Sequence, residues 1–180
     1  MGTRRSRRWR WLGSGALLAA LLLGACTGDD DGESEDPDAE AAEDAEREAE
    51  AFSAEYRQAA ERYADRLEEV QEEGAPQVAA DPIGAHEVYA ALAAVTEAAR
   101  EDFAALEATP ALSDELDGLL ENFEAQLRTL AEVVEASRER DDRALQRGLE
   151  DYADQLSVWR DRHTEISTAL GHEPGSFDEI

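Results

Sequence analysis

From Leu145 to Leu170 the sequence sets a large apolar or ring-bearing residue at alternating steps of four and three: Leu145, Leu149, Tyr152, Leu156, Trp159, His163, Ile166 and Leu170. Only an α-helix gathers residues so spaced onto one face, because a strand would need every second residue. Gly171 follows where a helix-ending glycine belongs. Three shorter stripes come earlier. The first is Phe52, Tyr56, Ala59, Tyr63, Leu67 and Val70, with Gly74, Ala75 and Pro76 expected to end it. The second is Val88, Leu92, Val95, Ala99, Phe103 and Leu106, opened by Asp81-Pro82 and broken at Thr109-Pro110. The third is Leu116, Leu119, Phe123, Leu127, Leu130 and Val134. A charged turn over 138–142 then leads into the last stripe, with Asp141 or Asp142 as its cap.

No strand-like alternation occurs anywhere in the chain. Each stripe would make a helix roughly 30–45 Å long. The connections at 109–112 and 139–141 are short, which favours antiparallel neighbours. The expected fold is therefore all-α, an antiparallel up-down four-helix bundle over 38–171. Before Phe52 the first helix carries no apolar residue larger than alanine, so it is expected to be helical yet unpacked, open to fraying or to projecting from the bundle. A looser three-helix body with the first helix projecting as a stalk is the rival arrangement. A continuous coiled coil is disfavoured by Pro76, Pro82 and Pro110. Residues 172–180, which include Pro174-Gly175, are expected to form an irregular tail.

The N-terminus is of another kind. Five arginines (Arg4, Arg5, Arg7, Arg8 and Arg10) precede an apolar run from Trp11 to Leu23. That run is short of the roughly 20 residues that span a bilayer, and its profile is that of an export signal. It ends at Leu23, Gly24, Ala25 and Cys26, an aliphatic residue and two small ones before a cysteine. This resembles the lipobox of bacterial lipoproteins over residues 1–26, with Gly24 where alanine or serine is commoner. The resemblance implies removal of residues 1–25 as a lipoprotein signal peptide, diacylglycerol on the Cys26 sulfur, further acylation such as palmitate, and attachment to the outer face of the cell membrane. Two or more acyl chains hold a protein stably where one is marginal. An ordinary cleaved signal leaving Cys26 as a free thiol is the other reading. The paired arginines leave both the general secretory and the twin-arginine routes open. The body also resembles the small, uncharacterised helical lipoproteins of actinobacteria, in its alanine- and arginine-rich composition, its proline-opened second helix with His86 and Tyr89, and its close at Leu170-Gly171. That likeness implies a location and a helical fold, but no activity.

Residues 26–37 read as the lipidated cysteine and an acidic, disordered spacer. Asp29, Asp31, Gly32 and Asp38 there partly match a calcium loop. Thr27 in its first position and Pro37 within it spoil the pattern.

Charge narrows the partners. The chain has a net charge of -27 and no lysine. After Cys26, 12 arginines face 44 acids, a net of -32. Such a chain repels nucleic acid, which excludes that class of partner, and it repels anionic headgroups. With Cys26 as the only cysteine, no intramolecular disulfide holds the fold.

Site chemistry is sparse. Metal-binding bundles of the ferritin type use Glu-x-x-His, but the residues three before His86, His163 and His172 are Ile83, Arg160 and Ala169. In an up-down bundle His86 and His163 lie at opposite ends. His163 and His172 are close enough for a zinc or copper pair, with Glu165 or Glu173 adjacent, or are simply a seam residue and a surface residue. The serines lack a glycine elbow, and no phosphate loop is present. Tyr56, Tyr63, Tyr152 and Trp159 fall on the first and fourth stripes, where they would line a small-ligand pocket or serve as plain core. No cofactor is implied. The expectation is a non-enzymatic interaction or envelope-associated module, with a protein or cell-wall partner. The alternative is an extracytoplasmic small-ligand or metal-binding protein.

Overall fold

The computed structural model describes residues 37–172, with side-chain surroundings from Glu43 onward. The signal sequence, Cys26, the spacer with its partial calcium loop, and residues 173–180 lie outside that range. The described chain is all-helical, a bundle of four helices: α1, Pro37–Ala80; α2, His86–Ala104; α3, Ser113–Glu139; and α4, Asp142–Ala169. One 3₁₀ turn, Pro82–Gly84, stands between α1 and α2.

Contacts between neighbouring helices pair rising residue numbers with falling ones. On α1 and α2, Tyr56 meets Phe103 while Gly74 lies against Val88. On α3 and α4, Asn122 bonds the Gln155 carbonyl while Val133 lies against Gly148. On α1 and α4, Ser53 reaches His172 and Tyr63 reaches Trp159.

The first helix runs further than its sequence suggests. It passes through Gly74, Ala75 and Pro76 to Ala80, where the sequence led us to expect its end. Pro76 removes one N–H from the ladder, at a cost of about 3 kcal/mol in a helix interior. Pro76 is exposed, so the carbonyl it orphans can be hydrated. The stripe meanwhile continues inward past it: Gly74 is buried, and Val78 packs on the cluster around Ala85, Tyr89 and Val133. Burial on the inner side outweighs the local signal to stop. At the other end, residues 43–51 are exposed except half-buried Ala49, and Phe52 is the first core residue.

Asp81-Pro82 also plays a different part. Asp81 caps the 3₁₀ turn by accepting from the Gly84 amide (3.1 Å), and α2 begins only at His86. The turn is fastened from three sides. The Tyr89 hydroxyl donates to the Pro82 carbonyl, the Ser137 hydroxyl to the Ile83 carbonyl, and Arg140 to both Asp81 oxygens.

The two later helix ends follow one design. After α3, Arg140 takes the left-handed conformation (φ 57°), with Asp141 N–H returning to the Ala136 carbonyl and Arg140 N–H to that of Ser137. After α4, Gly171 (φ 71°) does the same, with His172 N–H on Ser167 and Gly171 N–H on Thr168. This paired closure satisfies carbonyls that a helix end would leave bare. Asp141, one of the two caps expected, accepts from the Ala144 amide at 3.0 Å.

Two inner stripes are rotated from the expected ones. On α2 the buried residues are Tyr89, Thr96, Ala99 and Phe103, while Val88, Leu92 and Val95 are half-buried. On α3 the core line runs Leu116, Leu119, Phe123, Gln126, Leu130, Val133 and Ser137, and Leu127 is only half-buried. The α3 line keeps a strict three-four alternation, and the α2 line does so once half-buried Leu92 is counted between Tyr89 and Thr96. Polar Thr96 and Gln126 occupy inner places that apolar identity alone had assigned to Val95 and Leu127.

Candidate functional site

The aromatic residues of the first and fourth stripes meet in one buried cluster. Tyr56 and Tyr63 sit two turns apart on the inner face of α1, and Trp159 and His163 one turn apart on α4. The imidazole of His163 lies parallel to the Trp159 indole (5.0 Å between ring centres, 4°) and to the Tyr56 ring (5.7 Å, 13°). Tyr63 packs nearly perpendicular to Trp159 (5.1 Å, 72°) and to Phe123 (5.4 Å, 75°). Phe103 and Phe52 complete the cluster against Tyr56. Offset and edge-on pairs are the arrangements that ring quadrupoles favour.

The cluster is closed to solvent. Tyr56 is fully buried, Trp159 is 2% exposed and His163 is 5% exposed. The rings fill the space between α1 and α4 with one another. His163 has both ring nitrogens engaged: Nδ1 lies 3.0 Å from the Tyr56 hydroxyl and Nε2 lies 3.4 Å from Ser167 Oγ. One nitrogen donates and the other accepts, which suits a neutral imidazole. Burial, with a smaller contribution from His172, lowers its pKa to about 4. Burial likewise pushes the Tyr56 and Tyr63 hydroxyls well above their ordinary range and raises that of Tyr152.

His172 stands at the same end of the bundle as His163. Its Nε2 accepts from the Ser53 hydroxyl (2.7 Å) and from the Arg57 guanidinium (2.8 Å). Burial and then the Arg57 charge lower its pKa. His86 is at the other end, with Nδ1 3.1 Å from the Gly84 carbonyl. Among the described residues no group of three histidine, cysteine, aspartate or glutamate side chains is placed to hold a metal ion.

A second buried system escaped the sequence reading. Tyr63 donates to Gln126 Oε1 (3.3 Å), Gln126 Nε2 to Asn122 Oδ1 (2.7 Å), and Asn122 Nδ2 to the Gln155 carbonyl (3.2 Å). Gln155 Nε2 then donates to Thr129 (2.8 Å). The Tyr152 hydroxyl lies beside Tyr63 and Thr96. This polar band crosses all four helices through the middle of the core. Its signal was present as Asn122, Gln126 and Thr129, spaced four and three along one face of α3. A search for apolar residues alone passes over it.

The interior pairs its polar groups across the helices, and Ser167 and His163 are only 3% and 5% exposed. Among the described residues the surface includes the following open grooves. One lies between α1 and α2, with Val70, Gly74, Val88 and Ala91 on its floor and Glu73 and Glu87 at its rim. Another lies where α1 passes the α2–α3 connection, against Phe52, Ala108 and Pro110, with Glu48, Glu55 and Glu107 around it. No helix among the described residues is long and apolar enough to cross a membrane. No protein-family model, curated protein or solved structure matches the chain.

Proposed function

We propose that this chain is a lipid-anchored, extracytoplasmic module that acts by presenting helix surfaces to a protein or cell-wall partner, without catalysis of its own. The observation that carries the reading is the run Leu23, Gly24, Ala25 and Cys26 closing an arginine-led apolar segment. That run supplies a tether; the bundle supplies a surface. The side chains with most chemical potential, His163, Ser167 and the buried tyrosines, are engaged with one another inside the bundle. The same packing counts against the small-ligand reading built on Tyr56, Tyr63, Tyr152 and Trp159, and against the metal reading built on His163 and His172. With a net charge of -32 after Cys26, the chain would favour partners that carry positive charge at their contact surface.

Crosslinking of the full-length chain in its own membrane, beside a Cys26→Ala variant, tests the reading. The wild type should sediment with membranes and return the same crosslinked species in repeat captures. The variant should be released into the soluble fraction and lose them. A wild type recovered from the cytosol with residues 1–25 attached, or a variant equally bound to membranes, would overturn it.

A further inference from the structure

We propose that the groove between α1 and α2 is a docking site for a basic amphipathic helix of a partner protein, which lays aliphatic side chains into the groove and lysine or arginine along its rims. The inference rests on the reading of the chain as a module that presents its surface to a partner, and it names the surface and the chemistry. Shape is the first observation. Gly74 of α1 lies so close to Val88 of α2 that no Cβ fits between them. The missing side chain leaves a trough, with Val70, Val88 and Ala91 along it. All three are half-buried, so the four-helix core covers them only in part. The rotation of α2 that puts Tyr89, Thr96 and Ala99 inside leaves Val88 and Ala91 at this margin. Between Glu87 and Glu97, α2 carries no charged side chain to reach over it. Val70 and Gly74 are one turn apart on one wall, as are Val88 and Ala91 on the other. The floor therefore repeats at about 5–6 Å, the spacing of side chains one turn apart on an incoming helix. From Val70 to Gln77 the trough runs about 10 Å, or two helical turns.

Charge is the second observation. From Leu67 to Ala99, the stretch that builds both walls, the chain has no arginine or lysine. Elsewhere on the described helices arginines stand among the acids and pair with them: Arg47 with Asp44, Arg62 and Arg66 with Asp102, Arg128 with Glu124, and Arg138 with Glu135. Within the stretch, Asp81 and Glu97 find partners outside it, in Arg140 and Arg100. Glu68, Glu69, Glu72, Glu73 and Glu87 have no ion pair among the described residues. Glu73 and Glu87 rim the groove. Glu69 stands one turn before Glu73, and Glu68 one turn before Glu72, so each pair sets like charges side by side and weakens the helix. A chain that interleaves its charges elsewhere keeps this repulsion beside an open apolar trough, and a conflict kept in one place marks a surface shaped for something other than stability.

Shape and charge together select the occupant. Carboxylates only accept hydrogen bonds, and lysine and arginine only donate them. The apolar stems of those side chains would cover the margin between rim and floor. A helix with aliphatic anchors one turn apart enters such a groove while its polar flanks line the edges. A second copy of this chain would bring a net charge of -32 after Cys26 against the same rims. Anionic headgroups would be repelled in the same way.

A photo-reactive phenylalanine analogue at Gln77, in the full-length chain in its own membrane, reads the occupant. The same analogue at Val158, exposed on α4, is the control. Mass spectrometry of the crosslinked peptides should identify a protein segment joined to Gln77 and absent from Val158, with lysine or arginine flanking aliphatic residues three or four apart. Glu73→Lys combined with Glu87→Lys should lower its yield about tenfold, and high salt should lower it in the wild type. Both glutamates are exposed, so the helical circular dichroism and urea midpoint of the variant should stay those of the wild type. A Gln77 adduct with a second copy of this chain, with lipid or with an acidic segment would overturn the docking site. So would the same adduct from Val158, or a yield that charge reversal changes by less than about threefold. If Gln77 gives no adduct while general crosslinking still returns a species that depends on Cys26, the groove is refuted and the module reading stands. If neither returns a species, both are refuted.

Discussion

Phe123 is the position at which the bundle should be most sensitive to truncation. Its ring is fully buried and lies against rings from each of the other helices: Tyr63 of α1 at 5.4 Å, Phe103 of α2 at 5.4 Å and Trp159 of α4 at 6.4 Å. Replacing a buried phenylalanine with alanine costs about 3–5 kcal/mol, the larger values arising where neighbours cannot collapse into the cavity. Here the walls are rigid rings braced from three directions, and each lost ring pair adds roughly 0.5–1.5 kcal/mol that overlaps in part with the burial cost. We therefore expect Phe123→Ala to cost about 4 kcal/mol, roughly a quarter or more of the total stability of an ordinary domain. Urea unfolding of the full-length chain in mild detergent, followed by helical circular dichroism, measures it as a fall in midpoint at constant slope. Val158→Ala, at an exposed α4 site, is the control and should stay within about 0.5 kcal/mol. A loss below about 1.5 kcal/mol for Phe123→Ala at unchanged slope would mean that the ring cluster can close on itself, and the reasoning would fail.

Further tests probe other parts of the same account. Asp141→Ala removes the acceptor for the Ala144 amide at the start of α4 and should cost about 1 kcal/mol in a urea titration, with no effect if water caps the helix equally well. At Gly148 an added methyl group would sit 2.7 Å from Val133 Cγ2, so Gly148→Ala gains about 1 kcal/mol of helix propensity but meets an overpacking cost of about 1–3 kcal/mol. The net loss should be recovered in part when Val133→Ala is added, and strict additivity of the two variants would refute the close contact. Gln126→Leu should destabilise by about 1–2 kcal/mol despite its added apolar surface, because it leaves the Tyr63 hydroxyl and Asn122 Oδ1 without their buried partner. A stabilised variant would show that the polar band is dispensable. Finally, the lowered pKa of His163 makes its contribution to stability fully present above 6.5 and progressively lost as pH falls toward and through about 4. About 3 kcal/mol should disappear over that window in the wild type and not in His163→Gln, as read from urea midpoints.

The helices were legible because each repeats its inner positions at steps of three and four, and that spacing survives even where the residue types are mixed. Their ends were legible where a cap has a single physical solution. Asp141 accepts from the third amide of α4, and Gly171 supplies the positive φ that closes it. Gly74, Ala75 and Pro76 misled for the opposite reason. Glycine and proline weaken a helix by amounts that local sequence can weigh, whereas Gly74 and Val78 bind the segment to α2 and α3 through packing that depends on distant residues. The same limit applies at Arg140, a left-handed residue without a glycine to announce it. It is held there by the return of the Asp141 amide to Ala136, and its side chain ties the turn to Asp81.

The interior shows most clearly why an apolar count falls short. On α2 and α3 the faces turned inward were fixed by spacing, with Thr96 and Gln126 inside and Val95 and Leu127 displaced to the margin. A bundle of four helices with similar apolar stripes has several near-equivalent ways to slide and rotate, because leucine on leucine is tolerant of register. Hydrogen bonds are not so tolerant. Tyr63, Gln126, Asn122, Gln155 and Thr129 are paired at distances of 2.7–3.3 Å in one alignment. A shift by one turn would strand them in a dry core at roughly 1–3 kcal/mol per unpaired group. The aromatic cluster beside this band supplies burial, and the band selects the arrangement in which the rings interlock. That division of labour accounts for Tyr56, Tyr63, Tyr152 and Trp159 having the look of a ligand site in the sequence: the residue types that bind small molecules between helices are also those that bind helices to each other.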